Sequence, residues 1–159
     1  VAKVEPIAAH LEPLLKSVTV RRTPDEAFEI FTAGLAGWWP LGEYSVFGDR
    51  ARSCGIEPFV GGELFEVGEA GERCAWGRVL VWEPPRRFVV TWHPGRAPET
   101  AQEVEVRFLA EGAGATRVEL EHRGWAKLGG RAAETRGGYE QGWDAVLGRY
   151  LVACRGQDA

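Results

Sequence analysis

The sequence predicts an α+β fold in which a curved antiparallel sheet grips one long C-terminal helix. Three observations carry this expectation. Over residues 131–154 the run RAAETRGGYEQGWDAVLGRYLVAC puts Tyr139, Trp143, Val146, Leu147, Tyr150 and Cys154 within roughly a third of the helical circle, at about 100° per residue. Glu140, Gln141, Asp144 and Gly148 fall on the other side. Almost everything between residues 53 and 125 reads as antiparallel strands, which supply the apolar surface such an aromatic stripe must meet. Finally, 159 residues without internal repeats or low-complexity linkers make one domain with a substantial core.

The elements follow in order. Residues 1–12 hold Pro6 and a short apolar patch and are read as a leader that defines no element; the single domain is expected over residues 13–156. Residues 14–21 fit a first strand. Thr23-Pro24-Asp25-Glu26 then starts a helix: Thr23 caps it, Pro24 suits the first helical position, and Glu26 completes a capping box. That helix places Ala27, Phe28 and Phe31 on one face and ends near Gly34, and a second short helix over residues 35–39 is stopped by Pro40. Turn signals at Gly61-Gly62, residues 69–72, Glu83-Pro84-Pro85-Arg86, residues 93–100 and residues 111–114 cut the middle into about six strands. The last two alternate best: Glu103, Glu105 and Arg107 interleave with Val104, Val106 and Phe108, while Arg117, Glu119 and Glu121 interleave with Val118, Leu120 and His122. Setting Phe108 opposite Val118 brings Arg107 to Glu119, a better cross-strand pair than Arg107 against Arg117.

Charge and composition exclude several classes of function. A net charge of −4 with dispersed basic residues is no footprint for nucleic acid or anionic lipid. No apolar run reaches the ~18 residues of a membrane span, and no signal-peptide pattern is present, so a cytoplasmic location is expected. Cys54, Cys74 and Cys154 match no metal or redox spacing and are expected as free thiols. There is no nucleophile elbow, no phosphate-binding loop and no His-Glu-x-x-His helix. Gly112-Ala113-Gly114 lies between two strands, the wrong context for a dinucleotide site. His10, His93 and His122 are scattered with no carboxylate or thiol at ligand spacing, so neither metal nor cofactor is expected.

What remains is aromatic surface and two inward polar groups. His122 is in phase with Val118 and Leu120 and should face the long helix, either as a hydrogen-bonded structural residue or as a functional one. In Glu63-Leu64-Phe65-Glu66-Val67 both phases carry an apolar residue, so alternation does not orient Glu66. Seven tryptophans either fill the core or wall a pocket, and the two uses are compatible. Trp38-Trp39 could rim such a pocket and Trp92 and Trp143 could wall it. Toward the start of the long helix the apolar arc carries only Ala132, Thr135 and Arg136, which leaves room for a ligand there. Filling that room by Ala132→Trp is expected to block binding.

Gly61-Gly62-Glu63-Leu64-Phe65-Glu66, the run WGRVLVWEPPRRFVVTW at residues 76–92, the hairpin VEVRFLAEGAGATRVELEH at residues 104–122, and Gly142-Trp143 with Val146-Leu147 together resemble a known family. They are similar to bacterial proteins grouped with the activator of the 90-kDa heat-shock protein ATPase, within the START-like helix-grip superfamily, also called SRPBCC. The resemblance spans about residues 17–151. It implies a curved seven-stranded antiparallel sheet wrapped around the C-terminal helix, two short helices after the first strand, and a ligand cavity between sheet and helix. It also implies that Glu66 points inward, since that position is often apolar and inward-facing in related sequences. The cochaperone role belongs to longer eukaryotic proteins with an extra N-terminal domain, for which this chain leaves no room.

The leading expectation is a binding protein for a small apolar, lipid-like or aromatic molecule, with Phe31, Trp39, Glu66, Trp92, His122, Tyr139 and Trp143 as candidate ligand-binding residues. An alternative is a cyclase- or aromatase-like enzyme with Glu66 and His122 as acid and base, and another is a chaperone-associated interaction module, although no feature indicates a protein partner. If Glu66 and His122 share the cavity, binding or activity should depend on pH between about 5 and 8.

Overall fold

The structure is a computed structural model that describes residues 11–156; residues 1–10 of the expected leader lie outside the described residues. Seven strands form one antiparallel sheet: β1 (Leu14–Val20), β2 (Ala51–Ile56), β3 (Glu63–Gly68), β4 (Arg73–Glu83), β5 (Arg87–Trp92), β6 (Gln102–Ala110) and β7 (Thr116–Arg123). Their order across the sheet is β1-β7-β6-β5-β4-β3-β2. Helix α1 (Pro24–Phe31) follows β1, and α2 (Ala132–Gly156) closes the chain. This is the expected helix-grip arrangement of α+β type, with α2 in the concave face.

Local chemistry explains the elements. Thr23 Oγ1 accepts from the Glu26 N–H at 3.2 Å while the Glu26 carboxylate accepts from the Thr23 N–H at 3.0 Å, so both halves of the capping box form. The short helix after it spans only Leu35–Gly37 and is of 3-10 type. In the β6–β7 hairpin Phe108 lies opposite Val118 and Arg107 opposite Glu119. On the outer face of these strands Glu105 is only 7% exposed. Burial alone would raise its carboxyl, but hydrogen bonds from Arg123 (2.7 Å) and Arg87 (3.0 Å), with Arg107 nearby, outweigh that and hold it below the usual carboxylate range.

Curvature is concentrated in one half of the sheet. The pairings β2–β3, β3–β4 and β4–β5 each contain a register shift, whereas β5–β6, β6–β7 and β1–β7 run without one. Each bulge adds a residue to one strand and bends it, so the β2–β5 half curls over α2. Between β3 and β4 the extra residue is Trp76, set between Ala75 (opposite Phe65) and Gly77 (opposite Leu64). The Thr91 carbonyl closes on Gly77 so tightly that any Cβ there would overlap it, which restricts that position to glycine.

The space between sheet and α2 divides in two. Beneath α1, the rings of Phe28, Phe31, Phe88 and Phe108 meet at centroid separations of 5.1 to 6.4 Å, joined by Trp38, Trp82 and Tyr150. Tyr150 Oη donates to the Ala27 carbonyl at 2.8 Å and so ties α2 to α1. Toward the start of α2 the rings are those of Trp39, Trp76, Trp92, Trp125, Tyr139, Trp143 and His122. Only a 30 Å³ void separates the halves, about the size of one water. No helix among the described residues is long and apolar enough to cross a membrane.

Candidate functional site

A cavity of about 540 Å³ opens between the curled half of the sheet and the first half of α2. Its helix wall is one stripe: Thr135, Gly138, Tyr139, Gly142, Trp143 and Val146 recur at the i, i+3, i+4 spacing of a single face. The two glycines supply much of the room. A Cβ on Gly138 would meet nothing within 4 Å, and one on Gly142 would only touch the Tyr44 ring at 3.6 Å. Trp76 and Trp92 form the sheet wall, Pro94 and Gly95 one lip, and Trp39 with residues 43–46 the other.

Four indoles face this cavity, and each has its N–H turned to a protein acceptor. Trp39 Nε1 donates to the Tyr44 carbonyl at 2.9 Å and Trp76 Nε1 to the Glu66 carboxylate at 2.6 Å. Trp92 Nε1 donates to Tyr139 Oη at 2.9 Å and Trp143 Nε1 to His122 Nδ1 at 3.0 Å. A buried indole N–H needs a partner; meeting that need fixes the ring planes and leaves mainly ring carbon toward the cavity.

Glu66 is fully buried on β3. Its inward direction has a local cause: the neighbouring Phe65 ring faces outward beneath the Arg73 guanidinium, 3.5 Å from the ring centroid. Besides Trp76, the carboxylate accepts from the Val46 N–H at 2.6 Å and the Phe47 N–H at 2.9 Å. It therefore pins the loop that forms one lip. Burial, with Glu66 adding to it, pushes the nearby Cys54 thiol up to about 12. None of the three cysteines is in a disulfide.

His122 is also fully buried, stacked on Trp125 at 4.0 Å and edge-on to Tyr139 at 4.7 Å. An indole can only donate, so Nδ1 must be the acceptor and Nε2 must carry the proton that goes to Gln102 Oε1 at 3.2 Å. Gln102 Nε2 in turn donates to the Thr100 carbonyl at 2.6 Å, which sets the amide's orientation. Burial pushes the imidazole down to about 3, so it stays neutral.

Of the seven candidate residues, Trp39, Trp92, Tyr139 and Trp143 line the cavity. Phe31 borders the small void instead. Glu66 and His122 lie behind the tryptophans whose N–H groups they accept, with Trp76 and Trp92 (5.9 Å apart) in the ring series between them. They therefore do not form a shared acid–base pair, and the pH dependence expected between 5 and 8 does not follow, because burial moves the histidine's titration far below that range. Ala132 is buried outside the lining, and Arg136 donates to the Glu12 and Pro13 carbonyls rather than facing the cavity. Filling the cavity thus calls for Gly138, not Ala132. The sequence reading missed Trp76, Gly138, Gly142, Pro94, Gly95 and residues 43–46. The helical phase of Tyr139 and Trp143 could have found the two glycines; the loop is placed by the Glu66 bonds and by Trp39 at the Tyr44 carbonyl.

Comparison with known proteins agrees with this fold. Txn09, an anthrahydroquino-gamma-pyrone synthase solved as a complex, shares 36% identity, with 76% of this chain and 81% of that chain covered and a TM-score of 0.56. CalC, a self-sacrificing resistance protein from Micromonospora echinospora, shares 26% identity over 93% of this chain and 97% of that one, with a TM-score of 0.67. Protein MLL2253 from Mesorhizobium loti matches in fold, at 17% identity, 93% and 100% coverage and a TM-score of 0.68. A search of curated proteins gave no match. A family model described as Activator of Hsp90 ATPase homolog 1-like protein matches residues 21–155, a span that contains every residue of the cavity wall. This chain belongs to that Activator of Hsp90 ATPase homolog 1-like family.

Proposed function

We propose that this protein binds a small, flat aromatic molecule in the cavity between the sheet and α2. The observation that carries the reading is the set of four indoles whose N–H groups are all directed to protein acceptors, leaving a preformed wall of ring carbon around 540 Å³. That volume lies in the range of small-molecule sites, about 300–1,000 Å³. The 36% identity with a synthase named for an anthrahydroquino-gamma-pyrone, a fused-ring aromatic, supports the same ligand shape. Fused-ring aromatics should quench the tryptophan fluorescence at micromolar concentration, and Gly138→Trp should abolish quenching while leaving the melting transition cooperative. Undiminished quenching in a folded Gly138→Trp protein would remove the cavity from the reading.

The same relative favours a second reading, in which the bound aromatic is cyclised. Glu66 and His122 do not suit the acid and base roles there, since their polar atoms are engaged behind the indole wall. Turnover would fall to groups that line the cavity. Mass spectrometry of a polyketide-like substrate incubated with the protein separates the readings: unchanged substrate after prolonged incubation leaves binding alone.

A further inference from the structure

We infer that the cavity's ligand is a neutral polycyclic aromatic ketone of the quinone type, whose carbonyl oxygen accepts a hydrogen bond from Tyr139 Oη. The inference rests on the aromatic-binding reading above and adds the polar handle that orients the ligand.

Tyr139 lies on the helix wall of the cavity, and its oxygen already accepts the Trp92 N–H at 2.9 Å. The hydroxyl proton has no acceptor among the described residues. The ring is fixed by His122 at 4.7 Å, Trp125 at 5.9 Å and a stacked Trp143 at 6.1 Å, so the hydroxyl does not swing away to find one. Burial raises the tyrosine above its ordinary value, against the lowering effects of the Trp92 bond and of Arg96, so it remains a donor at neutral pH.

The rest of the lining narrows the partner. The four indole N–H groups are committed and Ser45 donates to the Leu41 carbonyl, which leaves the hydroxyls of Tyr44 and Thr135 as the other side-chain donors of the lining. Glu43, exposed at the mouth, is the sole formally charged residue of the lining. No cation belongs to the lining, since Arg96 acts on Tyr139 from outside it, so a carboxylate or sulfonate finds no direct partner there, while a ketone oxygen presents an acceptor without charge. Flat indole faces prefer a flat ring system. A donor whose acceptor arrives with the ligand discriminates between ligands that have the oxygen and those that lack it.

The test uses two probes of one shape, 9,10-anthraquinone and anthracene, titrated into unmodified protein and Tyr139→Phe. This substitution removes a single oxygen from the wall and with it the acceptor of the Trp92 N–H, so the anthracene arm reports any change in the wall itself. Loss of one neutral hydrogen bond should weaken anthraquinone about fivefold and leave anthracene within about twofold. The bound quinone's carbonyl stretch should shift to lower frequency in the unmodified protein and not in the variant. Intact anthracene binding in Tyr139→Phe certifies that fold and cavity survive. Equal changes for the two probes, or an unshifted carbonyl stretch, overturn the ketone inference and leave the aromatic cavity standing. Failure of the unmodified protein to bind either probe overturns both.

Discussion

The two halves of the space inside the sheet contain similar amounts of aromatic ring and behave differently. Under α1 the phenylalanines have no polar atom to satisfy, so they approach at 5.1 to 6.4 Å, mostly edge to face, and the void that borders them is only about 30 Å³. Toward the start of α2 each cavity-facing tryptophan is bound through its N–H to one acceptor, in one plane. Such rings are not free to slide together, and the glycines opposite them offer no side chain to take up the space. In the filled half the phenylalanines close up around two held rings, Trp38 and Tyr150, whereas the cavity wall consists of held indoles facing two glycines.

The comparison can be broken most strongly in the filled half. Phe31→Ala should cost about 4 kcal/mol of unfolding free energy in urea, while affinity for an aromatic probe in the folded protein changes by less than about twofold, because Phe31 does not line the cavity. A comparable loss of affinity would mean the halves are not independent. Next in size, Glu66→Leu strands the Val46, Phe47 and Trp76 N–H groups. It should cost about 3 kcal/mol and, unlike Phe31→Ala, weaken probe binding by freeing the lip. Glu66→Gln keeps one acceptor oxygen and should fall between Glu66→Leu and the unmodified protein in both measurements.

Acid should act on the open half alone through His122. Its folded value, about 3, lies below the ordinary histidine value of 6.5. The stabilisation is thus complete above pH 6.5 and is lost as pH falls from 6.5 toward 3, at about 1.4 kcal/mol per unit. Relative to His122→Phe, the unmodified protein should lose about 2 kcal/mol between pH 6.5 and 5. Other carboxyls titrate in both proteins and cancel in the difference. A constant difference across that range would show that the imidazole is not held neutral. The smallest effect has the opposite sign: Gly138→Ala, with no atom within 4 Å of the new Cβ, should stabilise the protein by about 0.5–1 kcal/mol.

The filled half was largely legible in the sequence. The capping box, the Phe28 and Phe31 face and the Phe108–Val118 register all follow from spacing, because period and packing agree there. The long helix was legible for the same reason. The open half was not, since its layout depends on bonds between residues far apart in the chain. Nothing in Glu63-Leu64-Phe65-Glu66-Val67 says that an arginine will cover Phe65 and release Glu66 to the inside. Strand alternation turned His122 inward, but only the indole at Trp143 shows that it serves as an acceptor. Residues 43–46 carry no periodic pattern and enter the wall solely because Glu66 and Trp39 hold them.

The Glu66 anchor also has a consequence in time. Val46 and Phe47 lie in a stretch without regular secondary structure, and Val46 exposes 43% of its surface. Amides in such a segment ordinarily exchange with solvent deuterium within seconds to minutes. Here both N–H groups end on a carboxylate that no water reaches unless β3 and the lip part. Their exchange is therefore coupled to parting of the lip from Glu66, so two slow amides should stand within a fast-exchanging run.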